Sequence, residues 1–311
     1  MSVYLGIDTS NYTTSAALYD DESGRVISKR KLLPVREGEV GLRQSDAVFH
    51  HVRQLPEIMK EAFDGFADPI KAIGVSYAPR TEKGSYMPCF TVGMMAASVL
   101  SSVLKVPVYE FSHQQGHIAA ALYSIGRLDL LDQKHIAFHV SGGTTEALLV
   151  NGEDGFLTTK IVAKTLDLNA GQLIDRIGVM LGLRFPCGKE LEKLALECTD
   201  KINVKATLKG MDCCLSGGQN IAQKYQKEGK APAYIARFAM EFISAAICGM
   251  SGRIRESYGD LPFVYAGGVM SDSIIRDALK ENKNCLFALP EFSSDNAAGT
   301  AALASVKDHL C

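Results

Sequence analysis

Several features that would each narrow the function are missing from this sequence. The eight cysteines form no CxxC pair and no regular framework, which excludes a disulfide scaffold or zinc knuckle and favours reduced thiols. No uninterrupted apolar run approaches the roughly 18–20 residues of a membrane-spanning helix. The chain enters an apolar strand, Val3 to Ile7, without a charged leader region, so we expect no signal peptide. We therefore expect a cytoplasmic protein that makes no membrane contact.

A strong net charge is missing as well. With 33 Lys and Arg against 35 Asp and Glu, the chain carries a net charge of −2. Such a balance gives no general attraction for nucleic acid, so RNA binding would need a local basic cluster or a partner protein. Lys29-Arg-Lys31, with Arg36 and Arg43, forms the one basic cluster, and a solvated face is its favoured interpretation. At 311 residues and 47% hydrophobic content, the chain is typical of a globular protein with two domains.

The most informative stretch runs from Val108 to Leu122. Its first residues predict the end of a buried strand, and the Ala- and Leu-rich residues after it predict a helix. His113 and His117 are four residues apart, which on a helix places both imidazoles on one face, about 5–6 Å apart at Cβ. Two rings so placed can bind one metal ion. A structural pair of histidines near a strand end is the alternative.

Two distant stretches share one layout of strand, small-residue turn and returning strand. The first turn, Asp8 to Thr14, is rich in hydroxyl groups, and the second is Ser141-Gly-Gly-Thr-Thr145. The repeat predicts an internal duplication, with two related domains that each present a turn to a shared cleft. Gly142 and Gly143 would also allow a ligand to approach the backbone closely.

Further along the chain, a buried strand, Phe263 to Val269, runs into a Gly-Gly turn and a helix. Glycines at the carboxyl end of a strand, before a helix, are the usual place for a nucleotide in α/β sheets. We expect Asp295 to cap the last helix. His50 and His51, on a predicted helix from Ser45 to Phe63, are expected to face solvent or to cap.

Seven motifs, taken in chain order, resemble one family. They are Gly6-Ile-Asp-Thr-Ser10, Ser112-His-Gln-Gln-Gly-His117, Ser141-Gly-Gly-Thr-Thr145, Ala170-Gly-Gln-Leu-Ile-Asp175, Pro186-Cys-Gly188, Ala266-Gly-Gly-Val269 and Ser294-Asp-Asn-Ala-Ala298. Together they resemble the tRNA N6-adenosine threonylcarbamoyltransferases, the glycoprotease family of the actin-like ATPase superfold. The resemblance implies an α/β fold of two actin-like (ribonuclease H-like) domains, with mixed sheets flanked by helices and a ligand cleft between them. The expected domains are residues 1–112 with helix 295–311, and residues 113–294.

The same resemblance implies the site residues. It makes His113, His117 and Asp295 the ligands of iron or zinc, with Mg²⁺ accompanying a nucleotide as an alternative. It assigns ATP, ADP or threonylcarbamoyl-AMP to Ser141, Gly142, Gly143, Thr144, Thr145, Asp175, Gly188, Gly267, Gly268 and Asp272. It assigns catalysis to Asp8, Ser10 and Thr145. The implied reaction transfers threonylcarbamoyl to the N6 amine of adenosine in tRNA, with tRNA reached through the accessory subunits of a modification complex, and a dimer is compatible with it.

Several polar positions depart from the family pattern and indicate a divergent paralogue. They are Tyr12 in place of a carboxylate, Thr144 of a His, Gln172 of a Glu, Cys187 of a Gly, Gln219 of a Lys and Asp272 of an Asn. Two alternatives therefore stay open: an ATP- or ADP-binding switch or scaffold, and a carbamoyltransferase or phosphotransferase acting on a small molecule. A metalloprotease is disfavoured, since Gln114-Gln-Gly116 supplies no carboxylate base between the histidines.

Overall fold

The computed structural model describes residues 2–10, 12–34, 42–153, 156–280, 284–293 and 297–311. Within these residues the strands are β1 (Val3–Ser10), β2 (Thr13–Asp20), β3 (Arg25–Leu32), β4 (Ile70–Ala78), β5 (Val108–Ser112), β6 (His135–Val140), β7 (Thr145–Glu153), β8 (Phe156–Lys164), β9 (Thr207–Lys209), β10 (Asp212–Cys214), β11 (Phe263–Ala266) and β12 (Cys285–Phe287). The helices are α1 (Gln44–Ala62), α2 (Phe90–Leu104), α3 (His113–Ser124), α4 (Ala170–Met180), α5 (Gly188–Leu196), α6 (Ser216–Lys227), α7 (Pro232–Tyr258), α8 (Ser273–Lys280) and α9 (Ala298–Leu310).

The first sheet has the strand order β3-β2-β1-β4-β5. The predicted hairpin is confirmed, since β1 pairs antiparallel with β2, whereas β4 runs parallel to both β1 and β5. Every residue of β1 is buried, because helices cover both faces of the sheet at this strand. The carboxyl ends of three parallel strands therefore share one edge, which brings Asp8 and Ser10 of β1 toward Ser112 and His113 after β5.

Close packing of α9 fixes this edge of the sheet. A Cβ at Gly6 would lie 2.3 Å from the Ala297 carbonyl oxygen, and one at Gly299 would lie even closer to the Gly116 carbonyl oxygen of α3. Only glycine allows backbones to approach so closely. The helix begins at Ala298 with Ala297 at its N-cap, and Asp295, which we predicted to cap it, lies outside the described residues.

The second sheet repeats the pattern with the order β12-β11-β6-β7-β8. The second predicted hairpin is confirmed by the antiparallel pair β6–β7, and β11 runs parallel to β6 and β12. The core beneath it includes α7, whose buried face carries residues such as Phe238, Ile243 and Ile247. The turns that follow β6 and β11 lie at the same edge because these two strands are parallel neighbours.

The contacts divide the chain into two compact units. Unit 1 comprises Met1–Gln133, Asn151–Thr158 and Glu291–Cys311, and unit 2 comprises Lys134–Val150 and Thr159–Pro290. By its contacts α3 falls in unit 1, whereas the predicted domain boundary lay between residues 112 and 113.

One described helix, α7, is long and apolar enough to cross a membrane by length and composition. Of its most apolar window, 61% is buried inside the protein. Burial of this extent is typical of the central helix of a folded core.

The structure corrects the expectation for His51. Its side chain is fully buried on α1, and its Nδ1 lies 2.8 Å from the Thr14 hydroxyl of β2. That hydroxyl in turn donates to Gln54 Oε1 at 3.0 Å. Burial lowers the pKa of His51 to about 4, because a charged imidazolium is poorly solvated there. Local sequence pattern does not predict the burial of His51, since a polar residue on an amphipathic helix ordinarily faces solvent.

The buried imidazole makes stability depend on pH. An unfolded histidine has a pKa of about 6.5, so below that pH the unfolded chain binds the proton and the folded chain does not. The free energy of unfolding is therefore unaffected by His51 above about pH 6.5. It falls as the pH approaches 4, and His51 accounts for a loss on the order of 3 kcal/mol. Urea unfolding at pH 7.5 and 4.5 should show a smaller loss for His51→Gln than for the parent chain. The control is His50→Gln, on the partly exposed neighbour, and an equal loss in all three proteins would contradict the assignment.

Candidate functional site

The two histidines of α3 face each other. Ser112 begins the helix with a capping box, since its hydroxyl accepts from Gln115 N at 3.2 Å and Gln115 Oε1 accepts from Ser112 N at 2.6 Å. This reciprocal cap fixes the first turn of the helix. One turn on, the Nε2 atoms of His113 and His117 are 2.9 Å apart. The helical spacing predicted for the pair is therefore confirmed, and the ring nitrogens converge.

A buried carboxylate orients the first ring. Asp8, which is 1% exposed, lies 3.2 Å from His113 Nδ1. A carboxylate at this nitrogen keeps the proton on Nδ1, so that the lone pair of His113 is on Nε2. His117 Nε2–H then donates to His113 Nε2. Because Nδ1 and Nε2 lie on opposite sides of the ring, Asp8 faces away from the point at which the two Nε2 atoms converge.

These residues fit a bound transition metal. Two imidazole nitrogens at about 2.0–2.1 Å from one ion are about 2.9 Å apart when the angle between them is near 90°, and 2.9 Å is the separation found. Imidazole suits iron and zinc, and a carboxylate behind a ligating imidazole is the common supporting arrangement. Within the described residues no group of three or more His, Cys, Asp or Glu side chains is placed to hold a metal. The predicted third ligand, Asp295, lies outside the described residues.

In unit 2, the turn between β6 and β7 abuts the start of α4. Ser141 Oγ accepts from the amide of Thr144 at 3.1 Å and that of Gly143 at 3.3 Å, and the Ser141 carbonyl oxygen accepts from Gly171 N at 3.1 Å. The turn therefore lies against the amino end of a helix, where the helix dipole favours an anion. Gly142 is exposed and a Cβ there would meet nothing within 4 Å, so a ligand can approach the backbone.

The turn after β11 lies beside this one. Gly267 has a φ of 104°, and a Cβ on it would lie 2.2 Å from the Val140 carbonyl oxygen at the end of β6. Asp272 is 6% exposed, and its Oδ1 accepts from Ile275 N at 2.9 Å as the cap of α8. Its Oδ2 has no hydrogen-bond partner among the described residues. Burial raises the pKa of Asp272 to about 6.

A third group of predicted residues is tied together through α4 and α5. Asp175 is one turn beyond Gly171 on α4, and its Oδ1 accepts from Cys187 N at 2.8 Å. This bond holds Gly188, the first residue of α5, next to Asp175. Glu192, one turn further along α5, accepts from the amide and hydroxyl of Ser273 at 2.8 and 2.7 Å. The sequence did not single out Glu192; its spacing of four residues from Gly188 is the signal that could have done so.

The sequence of this chain also matches a known protein family. Residues 34–302 match the model of one family, described as tRNA N6-adenosine threonylcarbamoyltransferase. The chain belongs to this family.

Individual relatives in the threonylcarbamoyltransferase family match most of this chain. The chain is 29% identical to the tRNA N6-adenosine threonylcarbamoyltransferase of Thermosipho africanus, over 95% of this chain and 91% of the relative. It is 28% identical to a probable bifunctional tRNA threonylcarbamoyladenosine biosynthesis protein of Thermoplasma acidophilum, over 88% of this chain and 49% of that protein. The chain thus spans about half the length of the bifunctional relatives that it matches.

Solved structures confirm the fold of the family member. T. kodakarensis HypF matches with a TM-score of 0.64 and 16% identity, covering 99% of this chain and 47% of that one. Component A of the Acidaminococcus fermentans (R)-2-hydroxyglutaryl-CoA dehydratase matches with a TM-score of 0.55 and 14% identity, covering 99% and 100%. These likenesses and the two mixed sheets flanked by helices confirm the predicted actin-like fold class.

The two predicted catalytic hydroxyl groups, those of Ser10 and Thr145, lie in different units of this threonylcarbamoyltransferase-family chain. Ser10 ends β1, two residues beyond Asp8; it is 3% exposed, and its Oγ has no hydrogen-bond partner among the described residues. Thr145 lies in unit 2, is 2% exposed, and its Oγ1 accepts from Ala170 N at 2.9 Å. The Thr145 contact positions the start of α4 and so supports the turn from Ser141 to Thr144.

Proposed function

We propose that this chain transfers a threonylcarbamoyl group from threonylcarbamoyl-AMP to the N6 amine of adenosine in tRNA. The single observation that carries the proposal is the family match over residues 34–302. Two independent features of the structure support it. They are the converging imidazoles of His113 and His117 in unit 1 and the exposed glycine turn at the start of α4 in unit 2.

We propose that His113 and His117 hold one divalent metal, iron or zinc, with Asp295 as the third ligand. When bound, the ion acts as a Lewis acid toward a carbonyl or phosphoryl oxygen. Asp8 is a positioning residue, because its carboxylate keeps the His113 lone pair on Nε2. A metal needs a lone pair on both Nε2 atoms, so the His117 proton would move from Nε2 to Nδ1 when the ion binds.

The predicted nucleotide residues of unit 2 would hold the donor. The backbone at Gly142 and Gly143 is open to the phosphate, since both residues are exposed without a side chain and the α4 dipole is nearby. The Gly143 amide already donates to Ser141 Oγ at 3.3 Å, so the Gly142 amide is the proposed donor. Asp175 and Gly188 are proposed to contact the ribose, and Gly267, Gly268 and Asp272 the adenine end. Mg²⁺ bound with ATP or ADP is the alternative occupant of this site.

In the proposed reaction the N6 amine attacks the carbonyl carbon of the threonylcarbamoyl group. A C–N bond forms, the C–O bond to the phosphate breaks, AMP leaves, and the amine loses one proton. The chain binds and orients both reactants, which contributes much of the rate enhancement when reacting atoms are held about 3–3.5 Å apart. Ser10, at the carboxyl end of β1 with a buried hydroxyl, is proposed to contact the reacting group.

Partners are expected for tRNA binding. The net charge of −2 gives little general attraction for RNA, and the basic segment Lys29 to Lys31 lies on the edge strand β3. We propose that accessory subunits of a tRNA-modification complex supply the remaining contacts, with a dimer of this chain as one arrangement. We propose a cytoplasmic location, in keeping with eight free cysteines.

The proposal is tested by direct detection of product. The purified chain is incubated with threonylcarbamoyl-AMP and an unmodified tRNA transcript, alone and with the accessory proteins of a related complex. The nucleosides are then analysed by mass spectrometry, and we expect threonylcarbamoyladenosine. A chain that forms no product under either condition while binding ATP or ADP tightly would contradict the proposal and favour a nucleotide-dependent switch.

A further inference from the structure

An aromatic side chain projects from the loop that joins α4 to α5. Phe185 is 73% exposed, although a buried phenyl group is strongly favoured over an exposed one. Isolated exposed apolar residues are common, so exposure alone assigns no role to Phe185. Its surroundings distinguish it from the other exposed apolar residues.

The loop holds Phe185 between two anchors. On the amino-terminal side, Leu183 N donates to the Gly178 carbonyl oxygen at 2.9 Å. On the carboxyl-terminal side, Cys187 is fully buried against Gly178, and its amide donates to Asp175 Oδ1 at 2.8 Å. The aromatic ring is therefore presented from a fixed backbone, which lowers the entropy lost when it binds a partner.

The second anchor, the hydrogen bond from the Cys187 amide to Asp175, is also part of the proposed donor site. Asp175 and Gly188 are the residues proposed to contact the ribose, and Gly188 is only three residues beyond Phe185. The segment from Gly182 to Lys189 contains two cations, Arg184 and Lys189, and no acidic residue. Both cations are exposed. An exposed ring flanked by cations is the combination with which proteins bind unpaired nucleotides, through base stacking and phosphate contacts.

We propose that Phe185 stacks on a nucleobase of the acceptor RNA, and that Arg184 contacts a phosphate of the same RNA. This inference rests on the proposed function and adds to it the chain's own contact for the RNA beside the donor site. Stacking tolerates any base because every base offers a π-face. Phe185 would thus position the acceptor strand without reading its sequence.

The absence of tryptophan from the chain allows a specific test. Phe185→Trp introduces a single fluorophore at the proposed contact, and Tyr86→Trp introduces one at a 67% exposed aromatic position of unit 1. Each protein is titrated with an unmodified tRNA transcript, and then with oligoadenylate, at low salt. RNA binding is followed in parallel by the anisotropy of labelled RNA. We expect quenching of Trp emission in the Phe185→Trp protein and unchanged emission in the Tyr86→Trp protein.

Affinity measurements complete the test. Phe185→Ala should weaken RNA binding by about 5- to 150-fold, the range expected for loss of one stacked base, whereas Phe185→Tyr should restore it. AMP binding should not change in either variant, which excludes damage to the donor site. Arg184→Ala should lower the salt dependence of RNA binding by about one phosphate contact.

The outcomes separate this inference from the proposed function. RNA that binds without quenching overturns the stacking role and leaves the exposed ring to a protein partner. If the chain alone binds no RNA, the anisotropy measurement is repeated with the accessory proteins present, and an RNA affinity that Phe185→Ala leaves unchanged there overturns the stacking role as well. If the parent chain still forms modified adenosine, the proposed function stands without the Phe185 contact. If it forms none, the proposed function fails whatever the emission shows.

Discussion

Replacing His117 with Ala should remove bound metal and reduce threonylcarbamoyl transfer by more than about 100-fold. The expected loss exceeds the 10- to 100-fold that removal of an outer-shell partner typically costs, because His117 Nε2 is one of the two nitrogens that converge at 2.9 Å. Metal content of the freshly purified protein is measured by mass spectrometry alongside transfer. His113→Ala should behave in the same way.

Two further variants make this prediction specific. Asp8→Asn keeps the shape of the side chain but removes its charge, and should weaken metal affinity by about 10- to 100-fold. His50→Ala, on the partly exposed side of α1, should leave metal content and transfer unchanged. Full metal content in the His117→Ala protein would show that α3 carries a structural pair of histidines and no metal site.

Gly267→Ala should destabilise the protein by about 2–6 kcal/mol, the sum of backbone strain and overpacking. The strain arises from a φ of 104°, and the overpacking from a Cβ placed 2.2 Å from the Val140 carbonyl oxygen. Relief of that contact would push the turn after β11 away from the end of β6, so nucleotide affinity should fall as well. Urea unfolding and calorimetric titration with AMP measure the two effects.

The adjacent glycine provides the control. Gly268 is exposed, and a Cβ there would meet nothing within 4 Å, so Gly268→Ala should change stability by no more than about 0.5 kcal/mol. Equal stabilities of the two variants would mean that the turn relaxes without cost. That result would contradict the fixed relation between the two turns on which the proposed nucleotide site depends.

Much of the architecture could be predicted from local pattern. Alternating apolar and small residues gave the hairpins β1–β2 and β6–β7, and helical spacing placed His113 and His117 on one face of α3. Both follow from periodicity, which is a property of neighbouring residues. The cap of α3 was less predictable: the capping box of Ser112 and Gln115 was not singled out, because capping depends on where the preceding chain enters the helix.

By itself, the sequence determined the fold class, the family and the spacing of the two histidines. The order of the motifs along the chain indicates the family and its fold, and the spacing of the histidines is a property of one short segment. Only the tertiary structure decided that Asp8 supports His113 across 105 positions of sequence and that His51 is buried against Thr14. It also decided that Phe185 is exposed in the loop whose Cys187 amide donates to Asp175. These contacts join residues from separate elements. They depend on how strands and helices pack, which no local pattern specifies.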